Sequence, residues 1–341
     1  MTSFYVFLKQ LGEQLKAEHF HRVFLALILL VLLGAGALRF FEPRLSFPDS
    51  LWWSIVTVTT VGYGDVSPAT LGGRVVGVML MMLGIGFLGV LTATIAGLFV
   101  ENKIMENKGM KPVKVRGQFL ICGWNYGGRQ IVDLLRQDEK SVKAPIVVIA
   151  DLPEKPVDDR NLFFIRGEVG TETLEMAGAA EADTAMVLYT ETLDVPVRDA
   201  KSILDTLTLK SLFPDLYVCV ELMEAKNVEH CQRAKADEII VVGQLSSNLL
   251  AQAALDHGVT NMVSELVSRY GSELYKIDLP SSLKGRTFLD VMFHLKKEHD
   301  IICLGVEEGN DHGLVTNPKA DRELKPGDRL VVIAATRPAL A

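Results

Sequence analysis

Two long runs without a charged residue constrain the fold of this chain more than any other feature. Residues 23–38 are uncharged, and with residues 39–41, of which Arg39 can extend to the interface, they reach the ~20 residues that cross a bilayer. Residues 75–100 form a second uncharged run. A soluble core helix of this length normally keeps a polar face, and the first run is long for a signal peptide. The sequence therefore predicts two membrane spans.

Basic residues flank these two runs unevenly. Lysines and arginines precede the first run and recur over residues 103–116, whereas the connecting segment holds only Arg39, Arg44 and Arg74. Because basic flanks tend to stay in the cytoplasm, both termini are predicted to be cytoplasmic. The chain is thus expected to be a multi-pass protein of the inner (cytoplasmic) membrane.

The segment between the spans has a helix start but is too short to cross the membrane. Ser46 can cap a helix that has an early proline and an acid in its first turn, and residues 51–59 are apolar. Glycines then alternate with other residues at Gly62 and Gly64. Irregular backbone at membrane depth is tolerated where it is buried or lines a water-filled path. The pattern predicts a re-entrant helix followed by a pore-lining segment.

The pore-lining segment resembles the selectivity filter of potassium channels. The matching residues are Thr60, Val61, Gly62, Tyr63 and Gly64, and the longer string TVTTVGYGD covers residues 57–65. The resemblance implies that carbonyl oxygens of the first four residues, with the Thr60 hydroxyl, replace the water shell of K⁺ as the permeant ion. It also implies that Asp65 lies at the outer mouth. One chain supplies one wall of such a ring, so a homotetramer is expected.

Three residues near this segment have two interpretations each. Trp52 and Trp53 are either a cuff that braces the filter or interfacial anchors, and the cuff is slightly favoured. Gly84 lies where two-span potassium channels place a gating hinge, but small residues also permit close helix packing. Both alternatives stay open at the level of the sequence.

Strand and helix patterns alternate through the second half of the chain. Apolar strand-like runs are predicted at 118–122, 145–149, 162–165, 186–188, 217–220 and 238–242. This alternation predicts a doubly wound parallel sheet of the Rossmann type. The half is acidic, which argues against nucleic-acid binding, and its four cysteines form no CxxC pair, which argues against zinc and fits a reducing compartment.

The turn after the first strand of this half departs from the dinucleotide fingerprint. It reads Gly123-x-Asn125-x-x-Gly128, so asparagine replaces the second glycine. NAD or an adenine nucleotide is one predicted ligand, and a Rossmann fold kept for assembly alone is the alternative. The candidate nucleotide-binding residues are Gly123, Asn125, Gly127, Gly128, Arg129, Asp151 and Glu168.

Calcium is the second predicted ligand, with a weaker pattern. Glu221 and Glu224 follow the fifth strand, and calcium prefers clustered carboxylates. Tyr189 and Met223 stand where further acids would be wanted, so solvated acids at strand ends are the alternative.

The cytosolic half resembles the RCK domain, also called KTN or TrkA-N, of potassium channels and transporters. The resemblance rests on Cys122-Gly123-Trp124, Gly167-Glu168 and the string ADTA at 182–185, and residues 275–340 resemble the companion C-terminal lobe. It implies a gating ring of eight domains below a four-fold pore. Extra soluble copies, started internally at Met105 or Met110, would complete that ring.

These observations predict a membrane α-helical pore joined to a cytosolic α/β Rossmann-like domain with a small α+β C-terminal lobe. The expected function is a ligand-gated potassium channel without catalytic activity. The alternative is a membrane-tethered nucleotide sensor or NAD-dependent oxidoreductase. The predicted divisions are an N-terminal segment 1–22, a pore 23–100, a linker 101–116, a Rossmann-like lobe 117–268 and a C-terminal lobe 269–341.

Overall fold

The chain forms two compact units, Met1–Asn107 and Lys108–Ala341. The structure, a computed structural model, describes residues 18–268, 271–309 and 313–339. Most of the predicted N-terminal segment 1–22 lies outside the described residues. Each unit is described separately below.

The first unit contains three described helices. They are α1 (Glu18–Phe41), α2 (Phe47–Val58) and α3 (Leu71–Asn107). The Ser46 side chain accepts a hydrogen bond from the Asp49 amide at 3.2 Å, which caps α2 as its sequence predicts. Helix α2 has 12 residues, so it is much shorter than a membrane span.

Helices α1 and α3 are long and apolar enough to cross a membrane. Only 17% of the most apolar stretch of each is buried within the chain. A core helix of a soluble protein would be mostly buried, so this exposure fits surfaces that face lipid or neighbouring subunits. Helix α3 also continues through Asn107 into the predicted linker, because this stretch holds good helix formers and an ion pair between Lys103 and Glu106 at 3.2 Å.

The second unit begins with a six-stranded parallel sheet. Its strands are β1 (Gln118–Cys122), β2 (Ile146–Ala150), β3 (Leu162–Arg166), β4 (Ala182–Val187), β5 (Tyr217–Leu222) and β6 (Glu238–Val241). They lie in the order β3-β2-β1-β4-β5-β6, with every pairing parallel. The strand order reverses between β1 and β4, and such a reversal opens a crevice at the carboxyl ends of the strands.

Helices lie between these strands and, in the case of the last two, after β6. They are α4 (Tyr126–Gln137), α5 (Thr171–Met176), α6 (Val195–Leu212), α7 (Val228–Arg233), α8 (Val242–Leu255) and α9 (Val259–Leu266). Two clusters of buried aliphatic side chains form the core of this lobe, one on each side of the sheet. Strand β2 (IVVIA) is an uninterrupted apolar run and is buried throughout, because a parallel sheet is covered on both faces.

A small α+β lobe follows. Its antiparallel sheet has the order β7-β10-β8-β9, formed by β7 (Glu273–Asp278), β8 (Ile302–Glu307), β9 (Leu314–Thr316) and β10 (Arg329–Ala334). Helix α10 (Phe288–His299) packs on this sheet through Phe288, Val291 and Leu295. The predicted fold class is thereby confirmed: apolar helices with a short helix between them, a Rossmann-like lobe and an α+β lobe.

Candidate functional site

The segment after α2 has an alternating backbone conformation. Thr60, Gly62 and Gly64 have positive φ angles of 63°, 59° and 74°. The Val61 and Gly62 N–H groups both donate to the Val56 carbonyl of α2, at 3.0 and 3.3 Å. In the described part of the chain, no backbone N–H donates to the carbonyl oxygens of residues 60–63. These oxygens are therefore free to coordinate a cation.

Thr60 is the strained position of this segment. Positive φ costs little for glycine but is uncommon for a residue with a branched side chain. The structure keeps Thr60 there because its amide donates to the Thr57 carbonyl at 3.0 Å, at the end of α2. Backbone strain of this kind persists where the surrounding structure holds it, and such positions cluster at functional sites.

An indole-to-carboxylate hydrogen bond joins α2 to the end of this segment. Trp52 Nε1 donates to Asp65 Oδ2 at 2.8 Å, and the Trp52 ring stacks on Tyr63 with centroids 6.0 Å apart and planes at 7°. Trp53 is buried against Leu38, Val58 and Leu80. This geometry supports the cuff interpretation for Trp52, whereas Trp53 belongs to the core of the unit.

Helix α3 passes close to α2 at Gly84. A Cβ atom at this position would lie 3.2 Å from both Cα and Cγ2 of Val58. At Gly86 and Gly89, by contrast, no heavy atom of a neighbouring group lies within 4 Å. The helix is unbroken through all three glycines. The contact supports close packing at Gly84, and the hinge role stays a prediction.

A depression of about 490 Å³ adjoins Thr60, the first residue of the segment 60–64, which we call the filter-like segment. It is lined by Thr60, Ile85, Leu88, Gly89, Thr92, Ala93 and Ala96.

A second cavity, which we call the cleft, lies at the carboxyl ends of the parallel strands. Its volume is about 510 Å³, within the range of small-ligand pockets. The predicted residues Gly123, Asn125, Asp151 and Glu168 line it, together with Trp124 and Tyr126 of the glycine turn. The fold therefore brings together residues from the turn, the end of β2 and the end of β3.

Two glycines of the turn are required by close contacts. Gly123 has a φ of 86°, and a Cβ there would lie 2.3 Å from the Leu188 carbonyl oxygen. A Cβ at Gly128 would lie 2.8 Å from the Trp124 ring. These glycines thus serve the tight turn and the packing of α4 on the sheet.

Asn125 directs its side chain to the start of helix α4. Its Oδ1 accepts a hydrogen bond from the Gly127 amide at 2.9 Å, and its Nδ2 donates to Glu221 Oε2 at 2.8 Å. Burial raises the pKa of Glu221, and the hydrogen bond from Asn125 opposes that rise.

Helix α6 contributes two charged groups to the cleft that sequence reasoning missed. Lys201 Nζ lies 3.0 Å from Asp205 Oδ1 and 3.7 Å from Glu168 Oε2. Burial raises the pKa of Asp205, and the adjacent Lys201 ammonium lowers it. The spacing of four residues on one helix was a local signal that the two pair, but nothing in the sequence placed them in the cleft.

Two other predicted residues point elsewhere. Arg129 Nη2 donates to the Pro156 carbonyl at 3.2 Å and does not line the cleft. Glu224 forms an ion pair with Lys226 at 2.6 Å. Among the described residues, no group of three or more His, Cys, Asp or Glu side chains lies close enough together to hold a metal ion.

Tyr189 occupies the place where the calcium interpretation wanted an acid. It is buried, Arg198 lies over its ring at 5.1 Å, and burial raises its pKa to about 12. The Tyr189 phenol thus stays neutral at ordinary pH and does not replace the missing carboxylate.

Three family models match consecutive parts of the chain. A family described as "Ion channel" matches residues 26–101, "TrkA-N domain" matches residues 119–242, and "Castor and Pollux, part of voltage-gated ion channel" matches residues 243–340. The predicted combination of a channel pore with a TrkA-N domain is confirmed by these matches.

Named relatives agree with this combination. The calcium-gated potassium channel TvoK of Thermoplasma volcanium is 29% identical over 338 residues, covering 95% of this chain and 94% of the relative. A voltage-gated potassium channel of Aeropyrum pernix is 41% identical over 106 residues, covering 29% of this chain and 36% of the relative. Among solved structures, the human SLO3 gating ring matches with a TM-score of 0.53 and 16% identity, over 64% of this chain and 44% of that one. That likeness shows the fold.

Proposed function

We propose that this chain, which joins a two-span potassium-channel pore to an RCK regulatory domain, conducts K⁺ across the cytoplasmic membrane under the control of a ligand bound in the cleft. Its relatives are named potassium channels along nearly its whole length, which supports a channel rather than an oxidoreductase. The termini and the RCK domain would lie in the cytoplasm, as the distribution of basic residues indicates.

The observation that carries this proposal is the alternating backbone of residues 60–64. Left-handed φ angles recur at Thr60, Gly62 and Gly64, and the amides of residues 60–62 donate to carbonyls of α2. Within the described residues, the carbonyl oxygens of residues 60–63 accept from no backbone donor. Four copies of this segment around an axis would form stacked rings of oxygens that replace the hydration shell of K⁺. Asp65, held by Trp52, would stand at the outer mouth.

Ion flux through reconstituted vesicles or bilayers tests the pore. With unequal K⁺ and Na⁺ on the two sides, we expect a reversal potential close to that of K⁺. Gly62→Ala, which forces a side chain into a φ of +59°, should abolish selective current. Gly36→Ala is the matched control, because a Cβ at Gly36 meets nothing within 4 Å. Equal permeability to Na⁺ in the unaltered protein would contradict the proposal.

The RCK domain supplies the ligand-dependent control of the proposed channel. Its cleft has the position and size of a small-ligand site, and Asp151 lies where a Rossmann fold binds ribose hydroxyls. We propose that a ligand containing a nucleoside binds there and changes the equilibrium between closed and open pores. Coupling between such a site and a gate is typically about 1–3 kcal/mol.

Calcium is a second candidate ligand, because the relative TvoK is named as calcium-gated. The partly buried Glu221 and its neighbour Glu224 would contribute carboxylates. Bilayer recording with Ca²⁺ on the RCK side tests this, with Glu221→Gln as the variant that should abolish any activation. Activation that survives Glu221→Gln would place calcium at another site.

Assembly into a ring would cover exposed apolar helices of the RCK domain. Helices α8 and α9 contain no buried residue, and their side chains include Leu245, Leu250, Leu255 and Met262, each more than half exposed. Contiguous apolar surface of this kind marks interaction sites. We propose that copies of the chain pair through these helices in a homotetramer, and that soluble copies started at Met105 or Met110 complete an eight-membered ring.

A further inference from the structure

The Asn125 side chain occupies the part of the glycine turn that binds phosphate in dinucleotide sites. There, the backbone amides at the start of the helix donate to the pyrophosphate. In this chain, Asn125 Oδ1 accepts from the Gly127 amide at 2.9 Å, and the Asn125 carbonyl accepts from the Gly128 amide at 3.1 Å. Two donors of the first turn of α4 are therefore already satisfied.

Glu221 holds Asn125 in this orientation. The carboxylate accepts from Asn125 Nδ2 at 2.8 Å, and Asn125 itself is only 4% exposed. Rotation of the Asn125 side chain away from the turn would break both of its hydrogen bonds inside a buried environment, where an unpaired polar group is costly.

The charges of the cleft oppose a polyanion as well. Its lining includes the carboxylates of Asp151, Glu168, Glu191 and Asp205, and one lysine, Lys201. That lysine already lies between Asp205 and Glu168. Like charges that share a partly desolvated site repel strongly, so each further phosphate on a ligand adds an unfavourable term.

The remaining part of the cleft fits an uncharged nucleoside. Asp151 is 71% exposed on its side chain and lies 3.6 Å from Arg166 Nε, at the end of β2 where ribose hydroxyls are bound in this fold. Leu152 and Val169 provide apolar surface next to it for a base. The volume of about 510 Å³ is ample for a nucleoside.

From these contacts we infer that the ligand of the cleft is a nucleoside with at most one phosphate, and that Asn125 is the residue that excludes diphosphates. This inference rests on the proposal that the cleft holds a nucleoside-containing ligand. The sequence predicted NAD or an adenine nucleotide as the ligand. This inference limits that prediction to adenosine and its monophosphate.

Calorimetric titration of the full chain in lipid nanodiscs tests the inference, with adenosine, AMP, ADP and NAD⁺ as probes. We expect adenosine and AMP to bind, and ADP and NAD⁺ to bind at least about tenfold more weakly than AMP. Asn125→Gly frees the Gly127 amide, and the extended φ of −139° at this position suits glycine. The affinity of this variant for ADP should be within about threefold of its affinity for AMP. Asn125→Ser keeps a capping oxygen and should keep the preference of the unaltered chain.

The midpoint of thermal unfolding of each variant serves as the check on folding. Asp151→Asn should weaken the binding of all four probes to a similar extent. Tighter binding of ADP or NAD⁺ than of AMP by the unaltered chain would overturn the inference, as would binding of none of the four. An unchanged ratio in Asn125→Gly would overturn the role of Asn125. Potassium current, measured on the same preparation without any probe, tests the proposed channel independently.

Discussion

The hydrogen bond from Trp52 to Asp65 is the residue-scale contact that holds the filter-like segment from behind. It joins the first half of α2 to the residue after Gly64, so it spans the whole segment. A hydrogen bond to a charged acceptor is stronger than one between neutral groups. Since the Tyr63 ring stacks on the same indole, one side chain restrains two residues of the segment.

Trp52→Phe removes the donor but keeps an aromatic ring beside Tyr63. We expect the open, conducting state to shorten by about tenfold, because the Asp65 carboxylate loses its indole donor. Single-channel recording in symmetrical K⁺ measures this lifetime. Asp65→Asn should have a similar effect, and the double variant should be no worse than either single one. Additive effects would show that the two residues act separately.

The ion pair of Arg136 and Asp159 is the residue-scale contact that should govern acid stability of the Rossmann-like lobe. Arg136 donates through Nε at 2.7 Å and through Nη2 at 3.1 Å, and both side chains are largely buried. The hydrogen bond from Arg136 lowers the pKa of Asp159 below its usual value. A lowered folded pKa means that the stabilisation is complete above the unfolded pKa and is lost as the pH falls through the folded one.

Asp159→Asn should therefore lower the free energy of unfolding by about 1–3 kcal/mol at pH 7. The difference from the unaltered chain should shrink below about pH 4, where the unfolded carboxyl takes up its proton. Thermal unfolding of the full chain in detergent at several pH values measures both effects. Asp133→Asn is the control, because Asp133 is exposed and lies on α4, the helix that carries Arg136. A difference that does not vary with pH would rule out the ionised pair as its cause.

At the scale of elements, the approach of α3 to α2 connects the inner helix with the base of the filter-like segment. Val58 is the last residue of α2, two residues before Thr60, and a Cβ added at Gly84 would lie 3.2 Å from its Cα. Movement of α3 at this point would therefore displace the backbone that carries the proposed ion sites. The alternative, a hinge within α3, depends only on the helix backbone.

Gly84→Ala and Gly86→Ala separate these two ideas. Either substitution stiffens the helix by a similar amount, about 1 kcal/mol in intrinsic propensity. Only Gly84→Ala introduces an atom 3.2 Å from Val58, whereas Gly86→Ala meets nothing within 4 Å. We expect a clear change in open probability for Gly84→Ala and almost none for Gly86→Ala in single-channel records. Equal effects would favour helix bending as the common cause.

At the scale of the whole molecule, the proposed ring needs more RCK domains than four complete chains supply. Met105 lies near the end of α3, and Met110 comes shortly after it, so a product started at either would contain the second unit almost entire. The exposed apolar side chains of α8 and α9 offer a surface on which such copies would pair.

Expression of the unaltered gene should yield a soluble fragment besides the full chain, visible on a denaturing gel and by mass spectrometry. Replacing both Met105 and Met110 by leucine should remove it, since leucine preserves volume and apolar character. Methionine-to-leucine changes at Met79 and Met81, within the membrane helix, are the control. A gel without any fragment in the unaltered protein would refute the internal start.

Much of the architecture could be predicted from the sequence because it depends on local patterns. Uncharged length predicted the two long helices, Ser46 predicted the start of α2, and alternating apolar runs predicted the parallel sheet. The glycine spacing at Gly62 and Gly64 predicted the unusual backbone, because few other residues adopt left-handed φ angles without strain.

The tertiary structure alone decided which side chains meet. Asn125 and Glu221 are 96 residues apart, so no local sequence pattern could predict the hydrogen bond between them at the glycine turn. Lys201 and Asp205 reach the cleft only because α6 packs beside β4 and β5. Sequence patterns reflect the hydrogen bonds within each helix or turn and the faces that are exposed. The charge and shape of a site depend instead on contacts between segments that are distant in the sequence.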